Sequence, residues 1–182
     1  MNRTARIESL ISTPAAGFEQ PFEMLRACHE RIQRTLALLQ RLRTHIGDHG
    51  SDEQARQAAR DVLRYFEQAA PQHHQDEELH VFPPLIANGD PATLVLVGQL
   101  QQDHLQMEAR WVQARRVLAD IAQGRLSSIG AADEAVLDAF SGIYADHIAA
   151  EEQVAYPAAG ALLDAGGLAA MGREMRGRRG GT

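Results

Sequence analysis

Apolar side chains recur at spacings of three and four residues along four long stretches of the chain. In the first stretch, Leu25, Ile32 and Leu39 share one face between about Pro21 and Ile46. This spacing is typical of an amphipathic helix that packs against a core. Comparable stripes predict three more helices, beginning after Ser51, near Pro91 and near Ala131.

The ends of these helices follow from residues that favour or interrupt helical structure. We expect Ser51 to cap the second helix, and Pro83 to end or kink it. The third helix should stop at Gly124, and the fourth, with Val154 on its inner face, should stop near Pro157.

Four long helices joined by short polar breaks predict an all-α fold, an up-down-up-down four-helix bundle. We expect an irregular N-terminal arm over residues 1–20, the bundle over residues 21–164, and a short helical segment with a basic flexible tail over residues 165–182. The arginines of that tail are Arg173, Arg176, Arg178 and Arg179. The surrounding glycines favour a solvated, frayed end for them.

Charge and cysteine content narrow the possible functions. A formal charge of -6 gives no general attraction to phosphate backbones, so we expect no nucleic-acid partner. The chain has no run of about 18 apolar residues, so we expect no membrane span. The single cysteine, Cys28, cannot form a disulfide within the chain, which favours a cytoplasmic location.

One histidine interrupts the apolar stripe of each predicted helix: His29, His73, His104 and His147. A rise of about 1.5 Å per residue, counted from the turns, brings all four to one level of the bundle within about one helical turn. A lone histidine on such a stripe is more often a hydrogen-bonded core residue than a ligand. Four together favour a metal site, because a core would otherwise have to satisfy four imidazoles at once.

Two of these histidines are followed by a glutamate in the pattern H-x-x-x-E, namely His73 with Glu77 and His147 with Glu151. Residues four apart lie on the same helix face, so each pair points to the same interior point. A buried carboxylate needs a positive partner, which a metal cation provides. The two pairs continue identically, to Phe82-Pro83 and to Tyr156-Pro157, so the chain consists of two similar helical hairpins.

Three further residues near this layer are weaker ligand candidates. His80 lies seven residues after His73 and could cap the site or be partly exposed near the helix end. Glu108 could be a ligand or could orient an imidazole. His74 is more readily explained by polar packing beside the site.

These motifs resemble the hemerythrin-like family of cation-binding helical proteins over residues about 22 to 157, most specifically along His73 to Pro83. The resemblance implies a four-helix bundle around a non-heme di-iron centre. It implies that His29, His73, His104 and His147 are terminal ligands and that Glu77 and Glu151 bridge the two irons. Manganese or zinc would also suit nitrogen and oxygen ligands.

The chain departs from the oxygen-carrying hemerythrins at two positions. Glu108 stands where they have a fifth histidine, and Glu151 follows its histidine by four residues where they have an aspartate at five. The arrangement is similar to bacterial hemerythrin-like proteins, including di-iron proteins implicated in iron-sulfur cluster repair. We expect the likeness to those repair proteins to be limited to the bundle, without their cysteine-bearing N-terminal domain.

The resemblance implies a metal-binding protein that binds or senses oxygen, peroxide or nitric oxide. A di-iron redox enzyme, an iron-donating repair factor and a bundle with a degenerate site that acts as an interaction module stay open as alternatives. Between an enzymatic and a non-enzymatic role, we expect the non-enzymatic one. The sequence identifies no protein partner and leaves a homodimer open.

Overall fold

A computed structural model describes residues 17–180, which are helical apart from short connections and contain no strand. The helices are α1 (Pro21–His49), α2 (Glu53–Asp76), α3 (Phe82–Asn88), α4 (Pro91–Ala122), α5 (Ala131–Ser141), α6 (Tyr144–Ala150), α7 (Tyr156–Leu162) and α8 (Ala165–Arg178). Two π-helical turns, Glu77–Val81 and Glu151–Ala155, connect α2 to α3 and α6 to α7. The predicted arm lies outside the described residues except for residues 17–20, where the Gln20 amide donates to the Gly17 carbonyl.

Four long helical rods form the bundle, and the expected all-α architecture is confirmed. The first rod is α1, the second runs from α2 to α3, the third is α4, and the fourth runs from α5 to α7. In the bundle α1 packs on α2, α2 on α4, and α4 on α5. Short connections between long, contacting helices make successive rods antiparallel.

The start of α2 differs from expectation. Asp52, rather than Ser51, is its N-cap, and the Asp52 carboxylate accepts a hydrogen bond of 2.9 Å from the Ala55 amide. An aspartate suits this position because its charge also interacts favourably with the positive end of the helix. The preceding Gly50 has a φ of +76°, a conformation that glycine adopts at little cost.

The prolines of the repeated motif do not end their rods. At each one the helix widens into a π turn, in which the Phe82 amide bonds to the Glu77 carbonyl and the Tyr156 amide to the Glu151 carbonyl. A proline in a regular α-helix lacks an amide donor and its ring collides with the carbonyl four residues earlier. The wider turn tolerates the missing amide donor and avoids the collision. The fourth rod therefore extends past the expected end near Pro157 to Leu162.

Two apolar clusters fill the bundle, one on each side of a polar layer. The larger cluster lies toward the turns at residues 50–52 and 123–130 and contains Phe66, Leu118 and Phe140. The second, at the opposite end, contains Leu25 and Phe82 together with residues of α7 and α8. The predicted histidines fall between these clusters in every rod, so the expectation of a single level is confirmed.

The C-terminal arginines depart from the expected solvated tail. Helix α8 begins at Ala165, with Asp164 as its cap, and packs against α1. Arg178 and Arg179 then pair with Asp76, which is fully buried in α2. The expectation of a frayed end is wrong for these two arginines, because a buried carboxylate requires positive partners that the sequence spacing does not reveal.

Among residues 17–180, no single helix is long and apolar enough to cross a membrane. One helix pair, Ala131–Leu162 with Ala165–Arg178, passes the same test of length and composition together, but it is bent by 117°.

Candidate metal centre

The polar layer between the two apolar clusters contains the six residues that the sequence indicates as ligands. Seven polar or charged residues are buried in the described part of the chain: His29, His73, Asp76, Glu77, His104, His147 and Glu151. Asp76 is neutralised by arginines of α8. The other six come from four different rods and meet in the middle of the bundle.

These six side chains form two groups that share both glutamates. The first group is His29, His73, Glu77 and Glu151, and the second is Glu77, His104, His147 and Glu151. Within each group, one potential ligand atom from every residue lies within 4.8 Å of all the others. Each group could therefore hold one metal ion.

Each glutamate directs one oxygen to each group. Glu77 Oε1 lies 3.3 Å from Nε2 of His73, while Glu77 Oε2 lies 3.3 Å from Nε2 of His104. Glu151 Oε2 lies 3.0 Å from Nε2 of His29, and Glu151 Oε1 lies 3.1 Å from Nε2 of His147. This is the arrangement that two carboxylates bridging a pair of cations require.

Several buried polar atoms of this layer lack a hydrogen bond in the described structure. They include Glu77 Oε2, Glu151 Oε1, His104 Nε2 and His147 Nε2. A buried polar atom left without a partner costs about 1–3 kcal/mol. Because these atoms crowd together without bonding to one another, the donor set fits cations placed between them.

Electrostatic interactions within this layer favour a positive charge on one of its histidines. Burial disfavours the charged form of His29, but the hydrogen bond to Glu151 and the nearby carboxylate of Glu77 prevail and raise its pKa from 6.5 to about 10. Burial also opposes the charge on Glu77, yet the surrounding histidines hold its pKa well below the ordinary value. A proton on His29 thus balances part of the carboxylate charge that a metal ion would otherwise balance.

Three carboxylates outside the six hold the outer nitrogens of the imidazoles. The Nδ1 atoms of His29, His104 and His147 lie 2.9, 3.0 and 3.3 Å from the carboxylates of Glu152, Glu78 and Asp103, respectively. A carboxylate partner on Nδ1 leaves Nε2 facing the centre and is a common support of histidine ligands to metals. In the sequence, Glu78 and Glu152 each directly follow the glutamate of an H-x-x-x-E pair, whereas Asp103 belongs to no repeated motif.

Tyr156 is a further member of the site that the ligand prediction missed. Its hydroxyl donates to Glu77 Oε1 and lies 3.1 Å from His29 Nε2. Its ring stacks on that of His29 at a centroid separation of 5.4 Å. Burial and the two nearby glutamates raise the Tyr156 pKa well above 10. The repeated motif had placed this residue one turn beyond Glu151 without suggesting a role for it.

The π turns begin at the two shared glutamates, Glu77 and Glu151. Such turns hold one residue more than an α-helical turn and are frequent at functional sites. Here the additional residue rotates the following positions. As a result Ala155 and Tyr156 are buried, whereas Val154, expected on the inner face, is about half exposed.

The weaker ligand candidates lie outside both groups. His80 is turned away by the π turn and bonds to Glu174 of α8 at 2.6 Å. Glu108 is exposed. His74 is half-buried and stacks on His104 at 4.2 Å, and burial together with neighbouring His104 lowers its pKa well below 6.5. His74 is therefore a neutral packing partner of the second group.

A four-helix bundle that carries a buried layer of histidines and shared glutamates is typical of a class of cation-binding helical proteins. Residues 20–159 match the Hemerythrin family, described as the hemerythrin HHE cation binding domain. The chain belongs to this family, which confirms the resemblance noted from its motifs. One relative, an uncharacterized protein of Haemophilus influenzae (strain ATCC 51907 / DSM 11121 / KW20 / Rd), is 31% identical over 164 residues, covering 90% of this chain and 92% of the relative.

Proposed function

We propose that the protein holds two iron ions, one in each group of the centre, and binds or senses oxygen, peroxide or nitric oxide there. The observation that carries the proposal is the sharing of Glu77 and Glu151 between two four-residue groups. Two histidines and two bridging carboxylates give each ion four protein ligands. An octahedral ion would retain open coordination positions, and iron held there would bind a small exogenous ligand at them.

The ligand set favours iron over structural zinc. Structural zinc sites are closed, four-coordinate and usually contain thiolate. The only cysteine, Cys28, is in neither group. Imidazole and carboxylate ligands suit manganese as well, and manganese is the main competitor in this proposal. A cytoplasmic location is part of the same proposal and is supported by the absence of any possible disulfide within the chain.

The residues around the centre have separate tasks. Glu77 and Glu151 place negative charge between the two positions, which favours divalent cations over neutral occupants. Glu152, Glu78 and Asp103 orient the imidazoles of His29, His104 and His147, respectively. The apolar clusters on either side exclude water from the layer, and this exclusion strengthens every charge interaction within it.

Elemental analysis of the purified protein tests the proposal. The wild-type protein should contain two iron ions per chain. His73→Ala and His147→Ala should each lose metal from one group. His80→Ala is the matched control, because His80 lies on the same rod as His73 but contacts Glu174, and it should retain both ions. A wild-type protein without metal, or a His73→Ala variant that retains both ions, would refute the proposal.

Exposure of the iron-loaded protein to oxygen, peroxide and nitric oxide tests the second half of the proposal. The visible spectrum should change in a stoichiometric reaction with at least one of them. An unchanged spectrum with all three would refute the proposed ligand binding, while metal binding itself would stand. Continued consumption of peroxide or nitric oxide with a reductant, abolished in His147→Ala, would instead assign the alternative function of a di-iron redox enzyme.

A further inference from the structure

At one pair of equivalent positions in the repeat, the two halves of the centre differ by a hydroxyl group. Tyr156 follows Glu151 by five residues, and Phe82 follows Glu77 by the same five. Both side chains are fully buried and each ring lies beside a histidine of the centre. Tyr156 lies against His29, whereas the ring of Phe82 lies 5.7 Å from that of His104. The repeat therefore places a phenol at one position and only carbon at the other.

The phenol oxygen of Tyr156 lies at the edge of the first group. It donates to Glu77 Oε1, the same oxygen that faces His73, and is 3.1 Å from Nε2 of His29. An exogenous ligand on an ion in this group would have to share that space with the hydroxyl. The second group contains no corresponding oxygen, since Phe82 contributes only its ring.

The outer side of Tyr156 is also covered. The Phe22 ring packs at 5.9 Å and the Arg26 guanidinium lies over the tyrosine ring at 5.7 Å. His29 and His73 are each 1% exposed, whereas His104 and His147 are 7% and 3% exposed. The histidines of the first group are thus somewhat more buried than those of the second.

Two pockets approach the second group. One, of about 370 Å³, is lined by His147 and its partner Asp103. The other, of about 290 Å³, has apolar walls that include Phe66 and Trp111 and reaches His74, which stacks directly on His104. Pockets of this size are ample for a ligand of two or three atoms.

We infer that Tyr156 closes the His29–His73 position to added ligands, so that a small ligand binds at the His104–His147 position. This inference rests on the proposed function, because it specifies which half of the centre is open. Tyr156 is in this sense a residue that determines where the ligand binds. Phe82 has the complementary role of leaving the second position free.

Azide binding to the iron-loaded, oxidised protein tests this assignment, with iron content measured first for every variant. The wild-type protein should bind one azide per pair of irons. Tyr156→Phe should bind two, because the first position then opens. Tyr65→Phe is the matched control, since the Tyr65 hydroxyl donates to the Cys28 carbonyl outside the centre, and this variant should bind one. Equilibrium dialysis and the infrared azide stretch give the number of azide ions bound per chain.

The reciprocal variant keeps the inference falsifiable if Tyr156→Phe does not fold. Phe82→Tyr adds a hydroxyl beside His104 and should weaken azide binding by about tenfold or more, which corresponds to about 1.4 kcal/mol. Loaded Tyr156→Phe that still binds one azide, or loaded Phe82→Tyr with unchanged affinity, would overturn the inference and leave the proposed function intact. A wild-type protein that takes up no iron would overturn both.

Discussion

Replacement of Asp76 by asparagine should reveal how strongly α8 is fastened to the bundle. The Asp76 carboxylate is fully buried and accepts hydrogen bonds from Arg178 and from both terminal nitrogens of Arg179, the longer of these measuring 3.2 Å. Asp76→Asn preserves the shape of the side chain. It removes the negative charge and turns one acceptor into an amide donor that faces a guanidinium.

The expected loss of stability follows from these contacts. A hydrogen bond to a charged group contributes about 1.5–3 kcal/mol, and breaking a fully buried ion pair costs about 3–5 kcal/mol. Arg178 and Arg179 are 18% and 19% exposed, so both can turn partly toward water once the carboxylate is neutralised. We therefore expect Asp76→Asn to lower the free energy of unfolding by about 2–3 kcal/mol, below the fully buried limit.

Urea unfolding of chelator-treated protein measures this loss without interference from metal binding. With an m-value of about 2 kcal/mol/M, the midpoint should fall by about 1 M. The control is Glu67→Gln, which breaks the exposed pair with Arg115 and should change the free energy by no more than about 0.5 kcal/mol. If both variants unfold at the same urea concentration, Asp76 does not fasten α8 and the argument fails.

Four other outcomes are expected. Chelation should lower the melting temperature of the loaded protein in calorimetry, by an amount equivalent to about 4 kcal/mol if free metal had been a thousandfold above Kd; an unchanged temperature would contradict metal binding. Phe140→Ala should cost about 3–5 kcal/mol in urea unfolding, because the fully buried ring packs on Phe66; a loss below 1 kcal/mol would count against the described core. Metal uptake near pH 7.5 should release a proton from His29, whose pKa of about 10 keeps it charged in the metal-free protein; titration calorimetry in buffers of different ionisation enthalpy counts that proton, and a count of zero would contradict it. The Arg178 hydrogen bond lowers the Glu174 pKa from 4.5 to about 2, so the stability that this ion pair contributes is present above pH 4.5 and is lost toward pH 2. Over this pH range, amide exchange in α8 should accelerate more in the wild-type protein than in Glu174→Gln.

Regular spacing along single helices is what made the fold and the six site residues predictable. A residue four positions after a histidine faces the same way whatever the helix packs against. The pairs His73 with Glu77 and His147 with Glu151 could therefore be assigned to one interior point. The common level of all four rods followed from the rise per residue and the short turns. That these residues bind metal stays a prediction.

Departures from regular spacing explain several errors. The sequence marks Pro83 and Pro157 as interruptions, but it does not say whether a rod stops or widens there. In the structure both rods widen and continue. The additional residue in each π turn displaces Val154 and His80 from the inward face. The position of α8 could not be inferred either, because the contact of its arginines with Asp76 joins residues about one hundred positions apart.

The support of the imidazoles shows where more could have been inferred from the repeat. Glu78, in the first hairpin, holds His104 of the second, while Glu152, in the second hairpin, holds His29 of the first. The two contacts are equivalent under the pseudo-twofold relation between the hairpins. Once one of them is assigned, the repeat dictates the other. Because each hairpin supplies the carboxylate that orients one histidine of its partner, and because each group takes a glutamate from both hairpins, both hairpins are needed to form either half of the centre.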